Sequence, residues 1–337
     1  MIPFEQASYL SQVKRLKTLA VEALKYYPIK VSGIHFIKHG ANAIFRVTDT
    51  KNKKYLLRIH PVGYHTKQAI LEEIKWLNYI LKTTNLSVPN PFNTIDSKYL
   101  IECSHETMSN SRFCDMFEWI PGRFRWKSIN SQYSYTLGTV IAQLQKNGQK
   151  VNIKNRHYWS AEGLVGTNGT KFKNVEKLTE VSAKEQKIIT AARRFTFQRL
   201  KEYEEAYPNR SGLIHADLHP NNFMMQNNNC AVIDFDDCGV GLYGYDLAVA
   251  LFAFEYLTEG EKRKDFAKLK QHLFEGYAEY MPFTQQDFNL SPCFLLARKL
   301  TVIGWLELRK ENPRLKSFFH KEVTRAIKYF ENIRSKI

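Results

Sequence analysis

Apolar positions in the first 120 residues switch between helical and alternating spacing. Leu10, Val13, Leu16, Ala20 and Leu24 recur at helical spacing within residues 5–27 until Pro28, which predicts an amphipathic helix ahead of the first strand. Residues 31–38 and 43–48 read as strands joined by His39-Gly40-Ala41-Asn42, on its own an ordinary hairpin turn. Residues 54–60 alternate, with Tyr55, Leu57 and Ile59 on one face and Leu56 and Arg58 on the other. A helix follows over residues 66–82, burying Ile70, Ile74, Leu77 and Leu81, with Glu73 beside that stripe. A hairpin turning near Asp96-Ser97 leads to the run Met-Phe-Glu-Trp-Ile-Pro-Gly, and Pro121-Gly122 is the expected boundary between domains 1–121 and 122–337.

Beyond it the spacing turns helical. Leu137, Val140, Ile141 and Leu144 make one buried stripe, and Ile189, Ala192, Leu200 and Tyr203 another. Between them residues 155–170, with Trp159 and three glycines, read as a loop that borders a binding site or lays an aromatic lid on the core. Helices are expected after Asp246, including residues 295–308 and 315–333. No internal repeat interrupts this order.

The chemistry concentrates in residues 212–246, GLIHADLHPNNFMMQNNNCAVIDFDDCGVGLYGYD. Apolar runs lead into acids, and Asn227 to Asn229 form a polar turn, so a tight turn carrying His215 to Asn222 precedes a hairpin that ends at Asp234. Asp217, Asn222 and Asp234 then converge, and an amide and a carboxylate oxygen suit Mg²⁺ completed by substrate phosphates. A rival reading takes His215, Asp217 and His219 as metal ligands on one face of a strand; Pro220 and the asparagines after it favour a loop. Asp236 and Asp237 extend the cluster and would meet a second cation, meet a cationic acceptor, or cap the next element.

Composition adds limits. The 337 residues suffice for two cores, and no apolar run reaches the roughly 20 residues of a membrane span. The N-terminus has no apolar signal core, so a cytoplasmic protein is expected. Five cysteines without a CxxC pair read as reduced, packed thiols, with Cys238, beside the acids, accessible. The formal charge of +16 is dispersed, so it describes a basic surface and does not point to nucleic acid.

The spacing His215-x-Asp217-x4-Asn222, then Asp234 between Ile233 and Phe235, resembles the catalytic and metal-binding loops of the protein-kinase-like fold. It is most similar to the aminoglycoside phosphotransferase and choline kinase superfamily, whose pattern is HxDxxxxN followed by an aspartate in place of the kinase DFG. HGANAIFRV resembles that family's short nucleotide loop, EEIKWLNYILKTTNLSVPNP its helix and fourth-strand entrance, and MFEWIPG its hinge.

The resemblance implies an α+β, two-lobe protein-kinase-like fold: a small lobe with an antiparallel sheet and a helix, and a mostly helical large lobe. It implies Asp217 as the catalytic base, Asn222 and Asp234 as the Mg²⁺ ligands, and His215 and Asp246 as supports of the loop. Gly40 and Asn42 would cover the phosphates of ATP, and backbone groups around Glu118 to Ile120 would bind adenine. Arg58 stands where kinases have a phosphate-binding lysine, with Glu73, or its neighbour Glu72, as ion-pair partner. The expected function is ATP-dependent transfer of phosphate to a hydroxyl of a small molecule such as an aminoglycoside, choline, homoserine or a sugar. A Ser/Thr protein kinase of the bacterial stress-response type stays open, though no APE-like activation segment lies between Asp234 and Asp246. So does a non-catalytic nucleotide-binding module, raised by arginine at position 58.

Overall fold

A computed structural model of the chain describes residues 2–124, 129–226, 229–259, 264–309 and 312–335. Contacts divide the chain into two compact units, Met1–Arg123 with Met225–Asp236, and Phe124–Met224 with Asp237–Ile337.

The first unit opens with α1 (Tyr9–Leu24), capped by Ser8, whose hydroxyl accepts the Ser11 N–H. Its buried face carries Leu16, Leu19, Ala20, Ala23 and Leu24. Leu10 departs from expectation and is 79% exposed, because the first turn, with Tyr9, overhangs the core. Spacing fixes a face but not where its partner surface ends.

The strands β1 (Val31–His39), β2 (Ala43–Asp49), β3 (Lys54–Ile59), β4 (Leu100–Cys103) and β5 (Arg112–Glu118) form an antiparallel sheet in the order β1-β2-β3-β5-β4. Phe45, Val47, Tyr55, Leu57 and Ile59 pack with α1 in one core. Burying each such side chain contributes about 1.5–3 kcal/mol. Between β3 and β4 runs α2 (Lys67–Thr83), capped by Thr66 and burying Ile70, Glu73, Ile74, Trp76, Leu77 and Ile80. Leu81, expected in that stripe, is 37% exposed, because Ile80 takes its place. The turn at Asp96-Ser97 is present, with Ser97 at φ 58°, yet the hairpin proper is β4–β5. Ahead of that turn only the bridge Pro91–Phe117 reaches the sheet.

Residues 225–236 return to this unit. They include β10 (Asn229–Val232), where Val232 N–H donates to Ser87 O at 2.9 Å, and Phe235 meets Trp76 edge to face at 5.3 Å. That anchorage carries Asp234 and Asp236 with it.

The second unit is mostly helical. After the two-residue strand β6 (Arg123–Phe124) come α3 (Ser131–Gly148), β7 (Tyr158–Trp159), α4 (Ala161–Val165), α5 (Ala183–Ala206), β8 (Ser211–Ile214), β9 (Phe223–Gln226), whose second half already belongs to the first unit, β11 (Gly239–Leu242), α6 (Tyr243–Leu257), α7 (Lys264–Ala278), α8 (Gln285–Glu307) and α9 (Pro313–Ile333). The strand β11 pairs antiparallel with β8 and parallel with β7. Helices α3 and α7 approach until backbones touch: a Cβ on Gly138 would lie 2.0 Å from Leu273 O, and one on Gly276 2.0 Å from Tyr135 O. Only glycine allows that spacing.

Residues 155–170 are not the loop that their glycines suggest, since they hold β7 and α4, the latter capped by Ser160. Trp159 is 1% exposed and its Nε1 donates to Asp237 O at 2.9 Å, so it belongs to the core and does not border a site. Cys238, expected to be accessible, is buried as well. Among the described residues no helix is long and apolar enough to cross a membrane.

Candidate active site

The loop after β8 is built around Asp246, in the first turn of α6. Its Oδ2 accepts the N–H of His215 at 3.1 Å and its Oδ1 that of Ala216 at 2.7 Å, while Gln145 Nε2 donates to Oδ2 at 3.1 Å. Burial raises the pKa of this carboxyl, and His215, Gln145 and the two amides oppose the rise. The brace is needed because Ala216 sits at φ 65°, a left-handed conformation that costs a non-glycine residue about 1 kcal/mol or more. That kink breaks strand alternation, so His215, Asp217 and His219 do not share a face and the three-ligand reading fails. Buried His215 accepts the N–H of Asp217 at Nδ1, at 3.3 Å.

The turn presents Asp217. Its main-chain oxygen accepts from His219 N–H at 2.9 Å and Asn222 Nδ2 at 3.0 Å. Its Oδ1 accepts from Arg298 Nη2 at 2.7 Å, and its Oδ2 lies 3.3 Å from Asn222 Nδ2 and 3.4 Å from His219 Nε2. Since His219 Nδ1 accepts the N–H of Asn221, its proton is on Nε2, aimed at Asp217. Three donors meet a carboxylate with about four lone-pair sites, so one remains for an alcohol O–H. With its amide nitrogen engaged by Asp217, Asn222 has an Oδ1 that accepts no hydrogen bond among the described residues.

Asp217 borders a cavity of about 690 Å³ within this unit, lined also by His219, Phe172, Phe252, Tyr256, Arg298 and Trp305. That volume suits a small molecule. The two lining carboxylates already carry cations: Asp217 has Arg298, and Asp237 has Lys171 at 2.5 Å. Three of its rings do too, with Lys299 5.4 Å from the centroid of Phe252, Arg325 4.4 Å from that of Tyr256 and Arg309 4.3 Å from that of Trp305.

The remaining expected residues lie in the first unit. Asp234, at φ 65°, faces Lys38 Nζ at 3.3 Å. Arg58 is buried in a nest of carboxylates. It pairs with Glu73 through Nη1–Oε1 at 2.9 Å and Nη2–Oε2 at 3.1 Å, and with Asp115 through Nε–Oδ1 at 2.9 Å and Nη2–Oδ2 at 2.7 Å. Asp236 Oδ1 stands 3.6 Å from Nη1. His60 and His65 close the nest, 3.2 Å from Asp115 Oδ2 and 3.4 Å from Asp236 Oδ1. Burial pushes Asp115 up, but Arg58 and then His60 outweigh it and hold its carboxyl at about 2. Glu72, half-buried on α2, is not in this nest, and Asp236 and Asp237 belong to different clusters.

At the β1–β2 turn Gly40 N–H donates to Asn42 O at 3.1 Å, and Asn42 Oδ1 is buried without a partner among the described residues. Glu118 turns its carboxylate to Lys53 at 2.5 Å and Asn90 at 2.8 Å, and its N–H donates to Asn90 O. Trp119 N–H is taken by Lys54 O, whereas the Ile120 backbone makes no hydrogen bond among the described residues.

Sequence reasoning missed Arg298 and Asp115. Arg298 lies on α8, 81 positions from Asp217, and no local spacing links them. Asp115 did leave a signal, an acid inside the otherwise apolar centre of β5.

Known proteins bear on this arrangement. Residues 33–283, more than half of the chain, match the family model described as APH, phosphotransferase enzyme family. Amicoumacin kinase of Bacillus subtilis (strain 168) is 22% identical over 296 residues, covering 85% of this chain and 83% of that protein. Among solved structures, the microcompartment-associated aminopropanol kinase superposes with a TM-score of 0.77 at 24% identity, covering 94% of each chain. An amicoumacin kinase in complex with AMP-PNP, Ca²⁺ and Ami also gives 0.77, at 20% identity, covering 94% of this chain and 95% of that one. The fold is therefore the protein-kinase-like one. By the match over residues 33–283, the chain belongs to the phosphotransferase enzyme family.

Proposed function

We propose that the protein transfers the γ-phosphate of Mg-ATP to a hydroxyl group of a small molecule held in the cavity beside Asp217. The observation that carries this reading is Asp217 itself: a carboxylate with three fixed donors and one open lone-pair site, on the wall of a cavity sized for a small molecule. Asp217 accepts the acceptor's O–H and orients its oxygen, and Arg298, His219 and Asn222 keep the carboxylate in place. Because His219 and Arg298 overcome the effect of burial and hold it ionised, Asp217 is a weak base whose work is positioning, which suits a loose phosphoryl transition state.

The residues present fit a nucleotide and a divalent ion. Asn222 Oδ1 is an unengaged amide oxygen and Asp234, in the first unit, carries a carboxylate; each is a hard oxygen donor of the kind that Mg²⁺ takes. Buried, unpartnered Asn42 Oδ1 and the unbonded Ile120 backbone would meet the nucleotide. The ion, when bound, supplies charge neutralisation on the phosphates. The relative solved with AMP-PNP and Ca²⁺ supports a nucleotide and a divalent cation.

The acceptor is a small molecule gripped mainly through an apolar body, since the cavity's carboxylates and rings already hold the protein's own cations. Relatives named as amicoumacin and aminopropanol kinases favour such an acceptor over a protein. Use of ATP agrees with the cytoplasmic location expected. The test is ADP release from Mg-ATP across a panel of hydroxylated small molecules, with Asp217→Asn as control. At least one compound should stimulate release, and the variant should lower that rate about 10²–10⁴-fold while still binding nucleotide. Equal stimulated turnover in the variant would remove Asp217 from the reaction.

A further inference from the structure

We infer that Lys38, and not Arg58, is the side chain that binds the nucleotide phosphates from the first unit. This rests on the reading of the protein as a Mg-ATP phosphotransferase.

Arg58 has no donor left. A guanidinium carries five N–H groups. Two point to Asp115 and two to Glu73, all within 3.1 Å, and the fifth faces Asp236 at 3.6 Å. Its flat face is covered too, with the guanidinium carbon 5.0 Å from the ring centroid of Phe117. A phosphate approaching Arg58 would meet three carboxylates for one cation, and that repulsion exceeds the attraction. The guanidinium instead ties β3, α2, β5 and the returning segment together.

Lys38 has the properties that Arg58 lacks. It lies on β1 beside the His39 to Asn42 turn, its side chain is 59% exposed, and its polar partner among the described residues is Asp234, 3.3 Å from Nζ. An ammonium resting on the carboxylate assigned to the metal is poised to exchange that contact for a phosphate oxygen once a cation draws Asp234. An exposed pair of this kind is worth about 0–1 kcal/mol, so the exchange meets little resistance. Lys38 then donates charge-assisted hydrogen bonds to phosphate, and no bond is made or broken there. Arg46 on β2 is a half-buried cation, but it lies 6.0 Å from the Trp119 ring, beside the residues expected to hold the base.

Equilibrium titration of the full chain with Mg-ATP and with adenosine tests this in the unaltered protein, Lys38→Met and Lys38→Arg. The expected result is that Lys38→Met weakens Mg-ATP binding about tenfold or more, leaves adenosine binding unchanged, and is largely rescued by Lys38→Arg. Unchanged Mg-ATP affinity in Lys38→Met would overturn the assignment while leaving the phosphotransferase reading intact. Parallel losses for ATP and adenosine would also overturn it, by showing a general disturbance of the turn. If the unaltered protein bound no Mg-ATP, the underlying reading would fall, and this inference with it.

Discussion

Asp217 stands among groups that pull its pKa in opposite directions. Burial raises it, and His219 and Arg298, each with a hydrogen bond, pull it well below the usual carboxylate range. Arg298 itself is held charged by Tyr245 and Asp217 against its own burial. Replacing Arg298 with glutamine leaves His219 alone against burial, so the carboxyl should rise. A lost charge-assisted hydrogen bond of about 1.5–3 kcal/mol corresponds to about one to two pH units. The acid limb of kcat/KM for ATP-dependent transfer should move to higher pH by that amount in Arg298→Gln. An unmoved limb accompanied only by a higher KM would make Arg298 part of the cavity wall and nothing more. In the unaltered protein Asp217 stays ionised throughout the neutral range.

Among the elements, β3, α2, β5 and the returning segment 225–236 meet on one guanidinium. Removing Arg58 strands three buried carboxylates, so Arg58→Met should destabilise the protein by about 3–5 kcal/mol, read as a lower midpoint of urea unfolding. A loss below about 1 kcal/mol would mean that the carboxylates protonate or hydrate at little cost. This knot also separates what the sequence discloses from what it hides. Glu73 was legible beside the apolar stripe of α2, and Arg58 by its place in an alternating strand, because both are local periodic signals. The antiparallel sheet, α2 and the loop of Asp217 and Asn222 were legible for the same reason. Asp115 facing Arg58, Arg298 reaching Asp217 and the return of residues 225–236 were not, because each depends on which distant elements pack together. The short β7 and α4 hid behind glycines placed for close packing: a Cβ on Gly163 would lie 1.7 Å from Tyr158 O. Composition cannot tell such a glycine from a flexible one.

Across the whole molecule, acid should act on buried imidazoles and on carboxylates at different pH. In the second unit, His157 packs edge to face on Trp159, its Nε2 lies 3.2 Å from Gly163 O, and burial lowers its pKa from 6.5 to about 4. Above pH 6.5 it is neutral whether the chain is folded or not, and nothing is lost. Between 6.5 and about 4 the unfolded chain takes up a proton that the folded one refuses, so stability falls as pH falls. In the first unit His39, its pKa also lowered by burial, adds to the loss below 6.5, and the carboxylates answer later. Asp115, held at about 2 against an ordinary 3.8, contributes stability that is full above 3.8 and disappears as pH drops towards 2. Asp236 and Asp217, also depressed, act in the same direction at low pH. Thermal unfolding followed from pH 7 to 3 should therefore show a first decline centred between 6.5 and 4, before the carboxylates titrate. His157→Gln keeps a side-chain N–H donor but cannot take up the proton. It should make that first decline shallower and leave the loss below pH 4 in place. If the variant kept the full slope between 6.5 and 4, His157 would not be its source, and the decline would belong to other groups, His39 among them.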